Sequence, residues 1–360
     1  MGETLTAAAV RRERDVSVDV AKGIGILLVV LGHTKFSWVS TFHMPFFFLL
    51  SGYFLTLKLP MKEYARRRVR QVLVPYLFGV LFTILFAVLI DLIKGDTALA
   101  GIDAKNWIFA GLYGKGTKGE FLIKGITKIG AYWFLLAMFT GSLIARKFVD
   151  SKYMLPILAA VAYIGYATRQ LVFLPWSIQA GMVASLYLGI GAWSRRHELL
   201  KKPDPAILVF CVLLWAFALW QGAALSMVNV KFHQGLLNIA VALAASYVVY
   251  WLSALIAGKT RVLKRILGFF GENSLVFYFW HALEINVLKW NHTKALLEGI
   301  GIVRDTVWGN LALFAVRAAV CAVLTLITLQ IKPMMRIVFG TGGKKPAKAE
   351  AAAGAGAKQD

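Results

Sequence analysis

Cysteine, acidic residues and histidine are all scarce in this chain. Two cysteines, Cys211 and Cys321, occur among 360 residues, and both lie inside apolar runs. That excludes a disulfide framework. Asp and Glu number 18 against 40 Lys and Arg, so the formal net charge is +22. Charged residues make up 16% and hydrophobic ones 59%, with a mean hydropathy of +0.66. A soluble domain carries about 25% charged and about 45–50% apolar residues. The composition therefore excludes an ordinary soluble domain and points to one polytopic membrane domain. The positive charge fits cytoplasmic loops facing anionic lipid better than nucleic acid. Several catalytic signatures are missing too: there is no P-loop, no HExxH and no GxSxG. No repeat period is visible, so nothing supports an inverted-repeat carrier. The N-terminus lacks the regions of a signal peptide, and its first apolar run reads as a retained span.

What is present is a series of apolar runs. They cover about 17–35, the stretch opening at Phe42, 71–93, 131–147, 153–170, 175–193, 206–225, 233–257, 273–290 and 308–331. Most have the length a bilayer core requires. The fold expected is all-α, with ten membrane helices spanning residues 17–340. Residues 1–16 precede them as a cytoplasmic segment. Residues 341–360, rich in Lys, Ala and Gly, follow as a tail expected to be disordered. Residues 94–129 form the longest polar interruption, read as a re-entrant or surface segment that includes a short helix. With the N-terminus inside, inner segments hold 26 Lys and Arg and outer segments hold 11. The bias sets both termini in the cytoplasm.

The run 19–33 is the anomaly. Only Gly, Ile, Leu and Val separate Lys22 from His33. In an α-helix eleven residues advance about 16 Å and return to nearly the same face. Ionisable groups in an apolar helix are costly and face a partner or a cavity. The competing reading is a snorkelling lysine and a histidine that merely ends the span. Asp19, three residues before Lys22, is placed to pair with it. A neutral imidazole such as His33 accepts a proton from a hydroxyl, which makes it the first candidate base. Gly23, Gly25 and Gly32 permit close approach by a ligand or, equally, by a helix.

His43 follows across a short loop, so it either faces His33 or sits beside the aromatic belt. Ser51 and Gly52 lie deeper in the same run and read as packing residues. Arg66, Arg67, Arg68 and Arg70 form a cluster on the inner side. Orientation alone accounts for such a cluster, yet arginine forks also bind phosphate. Tyr132 and Trp133 open a run where membrane-anchoring aromatics belong. His281 and Glu284 stand at i,i+3 and are placed to hydrogen-bond, and a Glu inside a span is a site candidate. No third ligand completes a metal set with them. His197, His233 and His292 fall in loops and read as ordinary.

These residues together carry a resemblance. Asp19-x-x-Lys22-Gly followed by His33 resembles the basic-residue, ten-residue, histidine signature of the membrane-bound acyltransferase family 3. The block Phe42-His43-Met44-Pro45-Phe46-Phe47-Phe48 through Ser51-Gly52-Tyr53-Phe54 looks like its second motif. Arg67-x-x-Arg70, with Pro75-Tyr76 after it, resembles its basic motif. Tyr132-Trp133-Phe134 and Phe277 to His281 resemble later blocks. Lysine at position 22 is similar to the branch containing fucose and enterobacterial-antigen acetyltransferases. The resemblance implies an O-acyltransferase of the bacterial inner membrane. It would move an acetyl group from acetyl-CoA, a co-substrate rather than a tightly bound cofactor, to a sugar hydroxyl of a surface or lipid-linked glycan. His33 would then be the base or acyl relay, supported by Lys22 and Asp19. Arg66, Arg67, Arg68 and Arg70 would hold coenzyme A phosphates. His43, Ser51, Trp133, His281 and Glu284 would meet the acceptor. The alternatives are a carrier of an anionic solute or glycolipid and a non-catalytic scaffold.

Overall fold

The computed structural model describes residues 16–340, apart from 56–58, 118–121, 124, 201, 289 and 304, and without the His292 side chain. The N-terminal segment expected before residue 16 and the tail from 341 lie outside the described residues, as do Lys58, Glu120, Lys201, Lys289 and Arg304.

Where no water reaches the backbone, a helix satisfies every N–H and C=O within its own segment. Each of the ten apolar runs accordingly holds an α-helix. Helix α1 is Val16–Gly32 and α2 is His43–Tyr53, joined through a 3-10 turn at Ser37–Thr41. Helix α3, Met61–Arg68, continues through a π-helical turn, Val69–Leu73, into α4, Val74–Ile93. Pro75 sits in the first turn of α4, where its missing N–H is harmless. Then come α5 (Thr97–Tyr113), α6 (Trp133–Phe148), α7 (Met154–Thr168), α8 (Ile178–Arg196) and α9 (Pro205–Trp220). A two-residue antiparallel ladder, Leu225–Ser226 with Lys231–Phe232, interrupts the otherwise helical chain. It leads to α10 (Leu236–Lys259), α11 (Arg261–Glu272), α12 (Ser274–Val287), α13 (Asn291–Gly299), α14 (Val307–Gln330) and α15 (Lys332–Ile337). Among the described residues, three helical bodies are long and apolar enough to cross a membrane: Met61–Ile93, α10 and α14.

Four readings are corrected or extended. The 94–129 interruption holds a 17-residue helix, α5, rather than a short one. Asp96 caps it by accepting from the Leu99 N–H, Gly114 ends it at φ +69°, and it packs along α4. Residues 261–272, part of the inner segment left between the runs 233–257 and 273–290, form α11. Its apolar residues Val262, Leu263, Ile266, Leu267 and Phe270 recur at helical spacing, and its basic residues take the other side. His292 falls within α13 rather than in a loop. Finally, Tyr132 and Trp133 are not membrane anchors. Both are buried, because the turn before α6 folds onto α12. There the Tyr132 hydroxyl donates to the Phe279 carbonyl at 3.2 Å and Tyr278 donates to the Ala131 carbonyl.

Helix α1 is packed by α2, α10, α11, α12 and α14. Its crossing with α11 needs glycine on both sides. A Cβ at Gly23 would meet the Leu267 carbonyl oxygen at 1.9 Å, and one at Gly271 would meet the Asp19 oxygen at 1.7 Å. Small residues bring helix backbones into contact in this way. Gly23 therefore serves helix packing, and Gly25 does so against Phe47 at 3.0 Å.

Between α5 and α6, Lys115 is 2% exposed. Its ammonium donates to the Val228 carbonyl at 2.6 Å and lies 3.5 Å from the Phe173 ring centroid. Burial pushes its pKa down to about 7. The unfolded chain holds that proton up to about pH 10, so between those values the unfolded state binds more protons. Stability should rise with pH across that window and be level below it. Thermal unfolding of detergent-solubilised protein from pH 6 to 9.5 should show this rise, and Lys115→Met should flatten it.

Candidate functional site

Two features meet on α1. The first is a cavity of about 490 Å³ alongside it. Lys22, Ile26 and Val29 line it from α1, and Phe47, Leu50 and Ser51 from α2. Arg68 and Gln71 close one side, and Phe134, Met138 and Tyr278 another. From Lys22 to Val29 the helix advances about 10 Å. The Lys22 ammonium stands 3.9 Å from the Asp19 carboxylate and 5.5 Å from the Phe54 ring centroid, so the expected i,i+3 pair is present. Arg68 reaches the same cavity, and its Nε donates to the Tyr64 hydroxyl at 2.9 Å. Arg66, Arg67 and Arg70 are exposed and absent from the lining. Arg70 lies in the π-helical turn, a distortion frequent at functional sites.

The second feature begins one turn beyond Val29. Helix α1 stops at Gly32, so His33 is not on its face. His33 sits in a tight turn, its N–H bonded to the Val30 carbonyl at 3.1 Å. The His281 ring lies 5.2 Å from that of His33, centroid to centroid. Behind them is a buried charge cluster. Arg317 of α14 donates to Glu284 Oε1 through Nη2 at 2.6 Å and Nε at 3.0 Å. Its Nη1 donates to the His33 carbonyl at 3.1 Å. Glu284 Oε2 accepts from the Trp290 indole. His281 Nδ1 stands 2.8 Å from Glu284 Oε1 but out of line for a hydrogen bond, and neither ring nitrogen has a hydrogen-bond partner among the described residues. Glu284, Arg317 and His281 are all buried.

The sequence-read candidates therefore divide. Lys22, Ser51 and Arg68 share the cavity, while His33, His281 and Glu284 share the cluster above it. His43 turns back on its own loop, with Nδ1 donating to the Val39 carbonyl at 2.8 Å. Trp133 stacks edge-on to Phe134, and Phe134, not Trp133, lines the cavity. Arg317 was missed as a site residue, although a lone arginine in an apolar run is a signal of its own.

Cys321 was also missed as a neighbour. Ligand atoms of His281, Glu284 and Cys321 lie within 4.8 Å of one another. These residues do not fit a metal, because the Arg317 guanidinium already supplies a cation to the same Glu284 oxygen. A divalent ion there would face that charge.

A family model described as an acyltransferase domain matches residues 15–327. The chain belongs to the acyltransferase family 3. Two similar proteins are nodulation proteins NolL. The one from Sinorhizobium fredii is 30% identical over 162 residues, covering 40% of this chain and 39% of that protein. The one from Mesorhizobium japonicum is 29% identical over 154 residues, covering 37% and 35%. The matched region thus spans about two fifths of each relative's length. No solved structure matches the chain. Family membership favours the enzyme reading over a carrier or scaffold.

The Glu284–Arg317 pair carries a direct test. Removing one partner of a buried ion pair strands the other and costs about 3–5 kcal/mol. Arg317→Met should lower the melting temperature in detergent more than Arg317→Met combined with Glu284→Gln. Strictly additive losses would show that the two side chains do not act as a pair.

Proposed function

We propose that this acyltransferase moves an acetyl group from acetyl-CoA to a sugar hydroxyl of a surface polysaccharide or lipid-linked glycan. It would do so in the bacterial inner membrane, on a ten-helix domain with both termini in the cytoplasm. The observation that carries this reading is the course of α1. A cavity with Lys22 and Arg68 at its charged side rises along the helix and ends one turn below His33. A phosphate-bearing donor suits the charged side, where guanidinium groups hold phosphate. The exposed Arg66, Arg67 and Arg70 lie on the same basic stretch and extend that field outward. The apolar walls of Ile26, Val29, Phe47 and Phe134 suit the pantetheine arm and exclude water.

The chemistry balances at His33. The imidazole takes the proton of the acceptor hydroxyl as its oxygen attacks the thioester carbonyl carbon. The new C–O bond forms and the C–S bond breaks. The proton passes to the departing thiolate, which leaves as free coenzyme A. Arg317 holds the His33 backbone while Glu284 balances the guanidinium. His281, its ring 5.2 Å from that of His33, is placed to hold the acceptor or to share the proton. Ser51 and His43 border the approach. Lys22, paired with Asp19, supports the phosphate-bearing end of the donor. Lysine rather than arginine at that position supports the fucose and enterobacterial-antigen acetyltransferase branch.

Two measurements test the assignment. With radiolabelled acetyl-CoA and protein in lipid, His33→Ala should lower transfer by at least about 100-fold, and undiminished release of coenzyme A would remove His33 from the mechanism. Arg68→Glu should raise the KM for acetyl-CoA about tenfold or more and leave that for the glycan unchanged. An unchanged donor KM would move the phosphate site elsewhere.

A further inference from the structure

A second, larger cavity of about 660 Å³ lies on the far side of α2, bounded by α8, α9 and α10. Its walls are apolar, among them Phe46, Ile207, Phe210, Leu214, Leu243 and Ala244. Helix α9 has α10 as its main partner and splays from it in one direction. At one end Ala218, Ala223 and Val241 close the wedge, with Leu214, Trp215 and Leu237 packed on them. At the other end the cavity opens between Ser194, Lys202, Asp204 and Tyr247. From Asp204 to Leu214 the helix advances about 15 Å, half of a hydrocarbon core of about 30 Å. The groove is thus one leaflet deep.

Its mouth is polar and positive. Lys202 forms no ion pair among the described residues. Asp204 does not offset it fully, because its Oδ1 accepts from the N–H groups of Ala206 and Ile207 as the α9 cap. Arg195 sits at the rim, donating to the carbonyl of Tyr53, itself a lining residue, at 3.4 Å. Trp193 and Tyr247 stand at the same level, where amphipathic rings meet lipid headgroups.

We infer that this groove binds one anionic glycerophospholipid of the surrounding leaflet, its acyl chain along α9 and α10 and its phosphate on Lys202. Length fits the chain, charge fits the head, and the closed end fixes the depth. Leu50 lines this groove and the Lys22 cavity alike. A chain in the groove therefore backs the α2 wall that bounds the proposed donor site, although lipid binding itself requires no catalysis.

Native mass spectrometry of the full chain in mild detergent tests this, with dioleoyl phosphatidylglycerol and dioleoyl phosphatidylcholine as probes. One phosphatidylglycerol should be retained with about tenfold preference, the size of one charged headgroup contact. Lys202→Glu, at an exposed position, should abolish the preference while leaving the melting temperature unchanged. Ala244→Trp should fill the groove and remove the adduct. Equal retention of the two lipids by the unaltered protein, or an unchanged preference in Lys202→Glu, would overturn the inference. Should Ala244→Trp fail to fold, the lysine variant decides alone.

Discussion

The contact on which the rest depends is the one between Glu284 and Arg317. Neither charge is tolerable alone in an apolar layer. Together they neutralise, and each spare donor or acceptor finds a use. One guanidinium arm reaches the His33 carbonyl, and the second carboxylate oxygen accepts the Trp290 indole. Three parts of the chain that are far apart in sequence, the end of α1, α12 and α14, are thereby fixed at one point. The His33 imidazole stands on a backbone that is held rather than free. For group transfer that matters, because a misplacement of about 1 Å costs on the order of 100-fold in rate.

Helix α2 has a complementary role as a partition. One face lines the cavity with Lys22, the other lines the apolar groove, and Leu50 belongs to both. Glycine permits this closeness. A Cβ at Gly52 would meet the Leu188 carbonyl oxygen at 2.0 Å, and one at Gly191 would meet that of Leu49 at 2.1 Å. An eleven-residue helix pressed onto α8 in this way makes a thin wall. The spaces either side of it can then serve different chemistries while sharing a boundary.

Much of this was legible from residue order. Apolar runs placed the helices, since a helix is the one local solution to backbone polarity without water. Asp19 and Lys22 pair as their spacing dictates, and His281 and Glu284 are neighbours for the same local reason. What the order of residues left open was mostly long-range. Nothing near Arg317 in sequence names Glu284 or His33 as its partners, which lie 33 and 284 positions away. The face of His33 was misjudged because α1 ends at Gly32, short of the run read at 17–35. Helix α11 was hidden by three basic residues at its start, Arg261, Lys264 and Arg265, which resemble a loop when counted but not when placed on a helical wheel. Trp133 and Phe134 traded roles because, in the first turn of α6, Phe134 faces the cavity while Trp133 is buried beside it.

The π-helical turn at Val69–Leu73 has a consequence for register. A π turn carries one more residue than an α turn of similar rise, so side chains before and after it fall out of phase by roughly 100°. Arg67 and Arg70, which share a face in a regular helix, are split between the two phases. Arg68 ends the regular portion and turns toward the cavity, while Gln71 reaches the same cavity from inside the turn. One surplus residue thus does what no substitution does: it rotates the whole 20-residue α4 against the arginines that precede it. Spacing in this basic motif is therefore a property of the helix's winding as much as of its letters.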